Sequence, residues 1–219
     1  MAGNTDPDVV GALVELCYEA GAKKVKVFDG PCNEEKRVYA ASGIADAAKL
    51  KGADVFFANS WNVAKAHFPY ESPLEGWPIY RDAIECDVFI NVPILKHHRL
   101  TRLTISMKNL MGVCSGDRGR IHADIGEKLA DLAFFIKPDL TVIDATRVLF
   151  RNGPSGGDLA DVERRDTIIV ATDLVLADTF AAGFVDVNPL QVPNIKPGSD
   201  KGLGSMDLAG ADIVRLGSA

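Results

Sequence analysis

Three of the chain's four histidines, His97, His98 and His122, fall within 26 residues of one another. Around them stand Lys96, Arg99, Thr101, Arg102, Thr104, Lys108, Asn109, Arg118 and Arg120. Ammonium, guanidinium, hydroxyl and amide donors of this kind hold phosphate or carboxylate groups, and imidazole exchanges protons near neutral pH. The segment therefore reads as a basic cleft for a small anion. Lys96, Thr101, Thr104, Asn109 and Arg118 are its expected ligand-binding side chains, and His98, His122 and Lys108 its catalytic candidates. A helix over 101–111 would set Thr101, Thr104 and Lys108 on one face, with Asn109 beside them. Leu103, Met107 and Leu110 would then pack on a sheet, although Ile105 falls on the polar side. A solvated helix face paired with i,i+4 neighbours is the structural alternative.

The charge distribution supports a focused site. The chain carries 24 basic and 30 acidic side chains, a net charge of −6, yet Lys96 to Arg120 holds six basic residues against one acidic, Asp117. An acidic protein with one basic, histidine-rich segment suits a small anion better than a nucleic-acid surface.

Three further residues extend the site. Asp144, at the end of its own strand, and Asn152 would orient the ligand, a histidine or a metal. His98, His122 and Asp144 form the candidate metal set, although Lys96 and Lys108 oppose a cation unless carboxylates join them. Gly153 belongs to a glycine-rich loop, Asn152 to Gly157, expected to wall the cleft where backbone approaches a ligand closely. That loop contains a literal G-x-S-x-G, but a serine hydrolase needs a helix directly after it and a later histidine, and none follows His122. No G-x-x-x-x-G-K-[ST], no H-E-x-x-H and no convincing G-x-G-x-x-G occurs.

Alternating elements position these residues. Val9, Val10, Leu13, Leu16 and Cys17 recur at helical spacing after Asp6-Pro7, and helical patterns also cover about 34–51 and 173–184. Ile121, Ile125, Leu129, Leu132 and Ile136 predict a buried helical stripe, with His122 at its edge. Strands are expected at 24–28, 54–58, 87–92, 140–145, 167–171 and 213–216. This order predicts an α/β fold, a three-layer sandwich with a mostly parallel central sheet and helices on both faces. Ligands in such sheets bind beyond the carboxyl ends of strands, where the basic segment begins. Residues 1–219 read as one domain, with 59–80 an irregular excursion, either a lid or a packed loop.

The 219 residues, 47% apolar and 25% charged, suffice for a core without disulfides. Cys17, Cys32, Cys86 and Cys114 show no C-x-x-C and no iron–sulfur or zinc spacing, as free thiols in a reducing compartment do. No apolar run is long enough to span a membrane. The expectation is a cytoplasmic protein whose partner is a small anionic ligand, with neither nucleic acid nor membrane. A redox partner, a homo-oligomer or a non-catalytic role docking an acidic protein stays open, and the cofactor is unknown.

These residues resemble a known family. Pro93 to Thr101, Thr104, the Lys108-Asn109-Leu110-Met111-Gly112 block, Arg118 and His122 are similar to the family catalogued as domain of unknown function 362. Lys137-Pro138-Asp139-Leu140, Asp144-Ala145, Asn152-Gly153-Pro154, Asp173 to Asp178 and Gly202-Leu203-Gly204 extend the likeness over about residues 5–216. Members often have Lys-Thr-His where this chain has Lys96-His97-His98, so the resemblance implies that His98 is the family histidine. An earlier strand ending in Lys-Pro-Asn has no counterpart here, so the resemblance implies either a shortened member or a truncated chain. Some relatives carry ferredoxin-type iron–sulfur modules; without the cysteines, no cluster is carried over.

Overall fold

A computed structural model describes residues 2–58 and 60–217. The first helix, α1 (Pro7–Glu19), starts where the pattern predicts: Asp6 caps it by accepting from the Asp8 N–H, and Pro7 occupies the first turn. α1 packs on α3 (Ile44–Leu50), which follows α2 (Glu35–Ser42). Two short strands, β1 (Lys26–Val27) and β2 (Asp54–Val55), pair in parallel beside them. Val10, Val14, Ala48 and Ala53 form a small core of their own. These elements make an N-terminal lobe.

The larger sheet is built around β8 (Leu140–Leu149). On one side β5 (Ile90–Asn91) and β6 (Ile94–His98) run parallel to it, with Ile90 opposite Leu140 and Ile94 opposite Asp144. On its other side lies the antiparallel β9 (Val162–Ala171), and β7 (Arg102–Thr104) turns back on β6. The fold is thus α/β, with parallel and antiparallel pairs in one sheet. Four helices, α4 (Ser106–Asn109), α5 (Ile125–Ile136), α6 (Leu174–Phe184) and α7 (Ile195–Asp200), pack on one another, and α6 packs on β8 and β9. The predicted stripe holds: Ile121, Ile125, Leu129, Leu132 and Ile136 are all buried. Among the described residues, no helix is long and apolar enough to cross a membrane.

Several expected elements differ: the strands expected at 54–58 and 87–92 narrow to Asp54–Val55 and Ile90–Asn91, with Val88 exposed because the chain before Phe89 lies outside the sheet. Residues 101–111 do not form one helix. Arg102 has φ 63, a left-handed turn that sends 102–104 back along β6 before the short α4 begins. The expected last strand, 213–216, has no strand pairing and is exposed. Within 59–80, β3 (Val63–Lys65) and β4 (Pro78–Tyr80) pair antiparallel, and Leu74 and Ile79 are buried in the main core. Asp131 on α5 ties this stretch down by accepting from Ser72 Oγ at 2.6 Å and Tyr70 OH at 3.0 Å. Asn59 lies outside the described residues.

Candidate functional site

A cleft of about 2110 Å³ opens between the N-terminal lobe and the sheet. Lys96, His98, Thr104, Lys108, Asn109, Arg118 and His122 all line it. Thr101, Asp144, Asn152 and Gly153 do not, although Pro154 and Ser155 of the glycine-rich loop do.

Lys96 projects from β6 with Thr104 directly opposite on β7. A hairpin, and not a helix, therefore sets the Thr104 and Lys96 side chains on the same face of the sheet. Lys96 Nζ donates to the Gly3 carbonyl at 2.6 Å. Among the described residues, the hydrogen-bond partner of Lys108, from α4, is the Met111 thioether, with Nζ 3.0 Å from Sδ. Sulfur is a weak acceptor. Burial lowers both ammonium pKa values, while the nearby Cys32 thiol opposes the shift. Neither lysine has an ion-pair partner among the described residues.

His98 ends β6 with Nδ1 accepting two backbone N–H groups, from Leu100 and Thr101, each at 3.2 Å. A proton on Nδ1 would confront both donors, so the neutral ring carries its hydrogen on Nε2. Burial, followed by the charges of Lys108 and His122, lowers its pKa to about 4. With Nδ1 occupied by the two backbone donors, the neutral His98 ring has its N–H on Nε2 to offer. His122 closes the 3₁₀ turn Arg118–His122, exposed on the cleft wall, with Nδ1 3.2 Å from the Gly119 carbonyl.

Asn109 and Arg118 serve the frame of the cleft. Asn109 Nδ2 donates to Asn91 Oδ1 at 2.9 Å, and Asn91 donates to the Ser106 carbonyl, which holds α4 against β5. Arg118 gives its guanidinium to backbone carbonyls: those of Gly30 and Pro31 in the lobe and Met111 beside α4. Its charge faces the cleft, but these hydrogen bonds fasten the lobe.

The remaining four residues are structural. Thr101 is completely buried and donates its hydroxyl to the Leu103 carbonyl, closing the turn. Asp144 is completely buried and accepts from the Asp6 N–H at 2.7 Å and from the Thr146 N–H and hydroxyl. It anchors the chain before α1, so the metal set of His98, His122 and Asp144 is not brought together. Among the described residues, no group of three His, Cys, Asp or Glu side chains is placed to hold a metal. Asn152 donates to Asp161 at 2.6 Å, locking its own loop. Gly153 lies so close to the His97 carbonyl that a Cβ would overlap it, and its N–H donates to His97 Nδ1. Only glycine permits this approach.

Asp29 was not among the expected residues. It follows β1, lines the cleft and places Oδ1 where a side chain on Gly112 would stand. Gly30 N–H donates to the Gly112 carbonyl at 2.8 Å, fixing this approach. The residue faces the cleft, where water reaches it, yet protein crowds its carboxyl. That desolvation raises its pKa, against the Arg118 and Lys96 charges, which lower it. The signal available in sequence was position: Asp29-Gly30-Pro31 sits at the carboxyl end of a strand.

Comparison with known proteins agrees with the resemblance. The family model described as domain of unknown function (DUF362) matches residues 1–183. The thylakoid-associated protein sll1697 of Synechocystis sp. (strain ATCC 27184 / PCC 6803 / Kazusa) is 26% identical over 207 residues, covering 87% of this chain and 60% of that protein. The chain therefore spans about 60% of the length of the curated relative it matches. Matched by that model over residues that include β1, β6, α4 and the whole basic segment, the chain belongs to the DUF362 family.

Proposed function

We propose that the cleft binds a small anionic ligand, one bearing a phosphate or carboxylate group. One observation carries the reading: Lys96 and Lys108 bring two largely desolvated ammonium groups to one wall without a carboxylate ion pair. Burying a charge is costly unless it is compensated. An ammonium has three donors; Lys96 uses one on the Gly3 carbonyl and Lys108 one on a thioether. An anion would accept from the rest, with the Thr104 hydroxyl and the His98 Nε2–H completing its shell. Lys96 and His98 lie at the end of β6, where open α/β sheets take their ligands. The three-layer arrangement with helices on both sheet faces belongs to this same reading, since such a fold leaves a crevice at that edge.

Isothermal titration of the protein with phosphate, pyrophosphate and citrate tests the proposal. At least one should bind, more weakly as salt rises, and Lys108→Met should reduce that affinity at least tenfold while the protein stays folded. Unchanged binding in the variant would overturn the reading.

A further inference from the structure

Several carboxyls line the cleft, among them Glu34, Asp82, Glu85, Asp87 and Asp117, and Asp29 is the one that lies against Gly112, beside the segment that carries Lys108. Asp29 lies in the fields of Arg118 and Lys96. Yet among the described residues no cationic side chain comes within ion-pair distance of it, 4.0 Å. Its backbone is held from both ends: Tyr39 OH bonds to the Asp29 N–H at 2.7 Å and to its carbonyl at 3.1 Å. The carboxyl is lodged against Gly112, one residue beyond Met111, the contact of Lys108. The lobe thus contributes a fixed acceptor near the charges of Lys96 and Arg118.

We propose that Asp29 makes the cleft a two-signed site, selecting anions that carry a neutral hydrogen-bond donor of their own, a hydroxyl, a short distance from the charge. This rests on the anion reading above. Lys96, Lys108 and His98 would take the phosphate or carboxylate, and Asp29 would accept from the hydroxyl. A cationic group on the ligand fits less well, because Lys96 and Arg118, whose charges act on Asp29, would repel it there. A simple anion lacking the hydroxyl would offer Asp29 no donor and would meet only its like charge, so the two ligand types differ by one hydrogen bond to a charged group. The ligand class is therefore a hydroxylated phosphate or carboxylate, such as a polyol phosphate or a hydroxy acid.

Glycerol 3-phosphate and propyl phosphate carry the same charge on the same three-carbon frame and differ in two hydroxyls, so titration of both isolates the donor. The wild-type protein should bind glycerol 3-phosphate about tenfold or more tighter, the scale of one hydrogen bond to a charged group. Asp29→Ala should bring the two affinities within about threefold of each other by weakening glycerol 3-phosphate, with propyl phosphate unchanged or tighter as a like charge is removed. Should the alanine variant unfold, Asp29→Asn keeps the shape, removes the charge and should still cut the ratio by about threefold or more. Equal wild-type affinities, or a preference that survives both substitutions, would overturn the proposal. Propyl phosphate binding that depends on Lys108 while the preference is absent would sink the role of Asp29 alone. Binding of neither phosphate would remove the anion reading and this proposal together.

Discussion

His98 Nδ1 accepts the Leu100 and the Thr101 backbone N–H at once. The turn that reverses the chain from β6 to β7 therefore also fixes the tautomer of the histidine facing the cleft. NMR of the ring nitrogens should find Nε2 protonated and Nδ1 bare at pH 7. The ring should stay neutral down to about pH 4, where burial and the nearby Lys108 place its pKa. The unfolded chain, with an ordinary histidine, takes up its proton first, near pH 6.5. His98 thus contributes stability that is present above about pH 6.5 and is lost as pH falls toward 4. Ring titration at a normal histidine pH would contradict this.

Asp178 works in the opposite sense. It is completely buried and accepts from the Ser106 N–H, the Met107 N–H and Asn194, anchoring the start of α4 to α6. Desolvation raises its pKa to about 6, even though these hydrogen bonds lower it. Its contribution is fully present below the unfolded carboxyl's pKa, near 3.9, and is lost as pH rises through about 6. Urea denaturation at pH 4.5 and 7 should show that slope, and Asp178→Asn should flatten it. Asp178→Ala should cost about 3 kcal/mol at either pH by stranding two N–H groups and an amide.

Lys108→Met should separate binding from stability. Removing a desolvated ammonium with a single weak acceptor should leave the fold as stable as before or firmer by about 1 kcal/mol. Equilibrium unfolding of the variant reads this directly. A loss of several kcal/mol would mean that Lys108 is a structural residue.

Asp144→Ala should do the reverse. The Asp6 N–H and both Thr146 donors would lose their acceptor, and the segment before α1 would detach. A destabilisation of about 2–4 kcal/mol follows. Anion affinity per folded molecule, by titration at low temperature, should shift with it, since the detached segment carries Gly3, the carbonyl acceptor of Lys96.

The sequence was most informative where one periodicity ruled. The stripe from Ile121 to Ile136 could be read because burial on one face leaves a pattern, whereas the strand expected at 87–92 is only Ile90–Asn91, with Val88 exposed. Residues 101–111 misled because Leu103, Met107 and Leu110 suit either one helix or a strand followed by a short helix. The turn itself is made by Arg99, Leu100 and Thr101, with the left-handed Arg102 opening β7, and lacks the glycine, proline or asparagine that usually marks one. Seven of the eleven expected site residues line the cleft, since the basic segment folds around it. Asp144 misled because a buried carboxylate that accepts backbone N–H groups has the same residue type as a metal ligand. Asp29 was missed because its role comes from a contact 83 positions away, at Gly112, which no local pattern records.

Arg118 gives that long-range contact a mechanical meaning. One guanidinium grips carbonyls at residues 30 and 31 on one side and at residue 111 on the other. It works as the linchpin between two bodies with separate cores. Pulling it would let the lobe swing, and Asp29 would leave the lysines it faces. Assembly of the cleft and docking of the lobe are then one event: a molecule bound between them would act as a second rivet, tightening a joint far from the hydrophobic core.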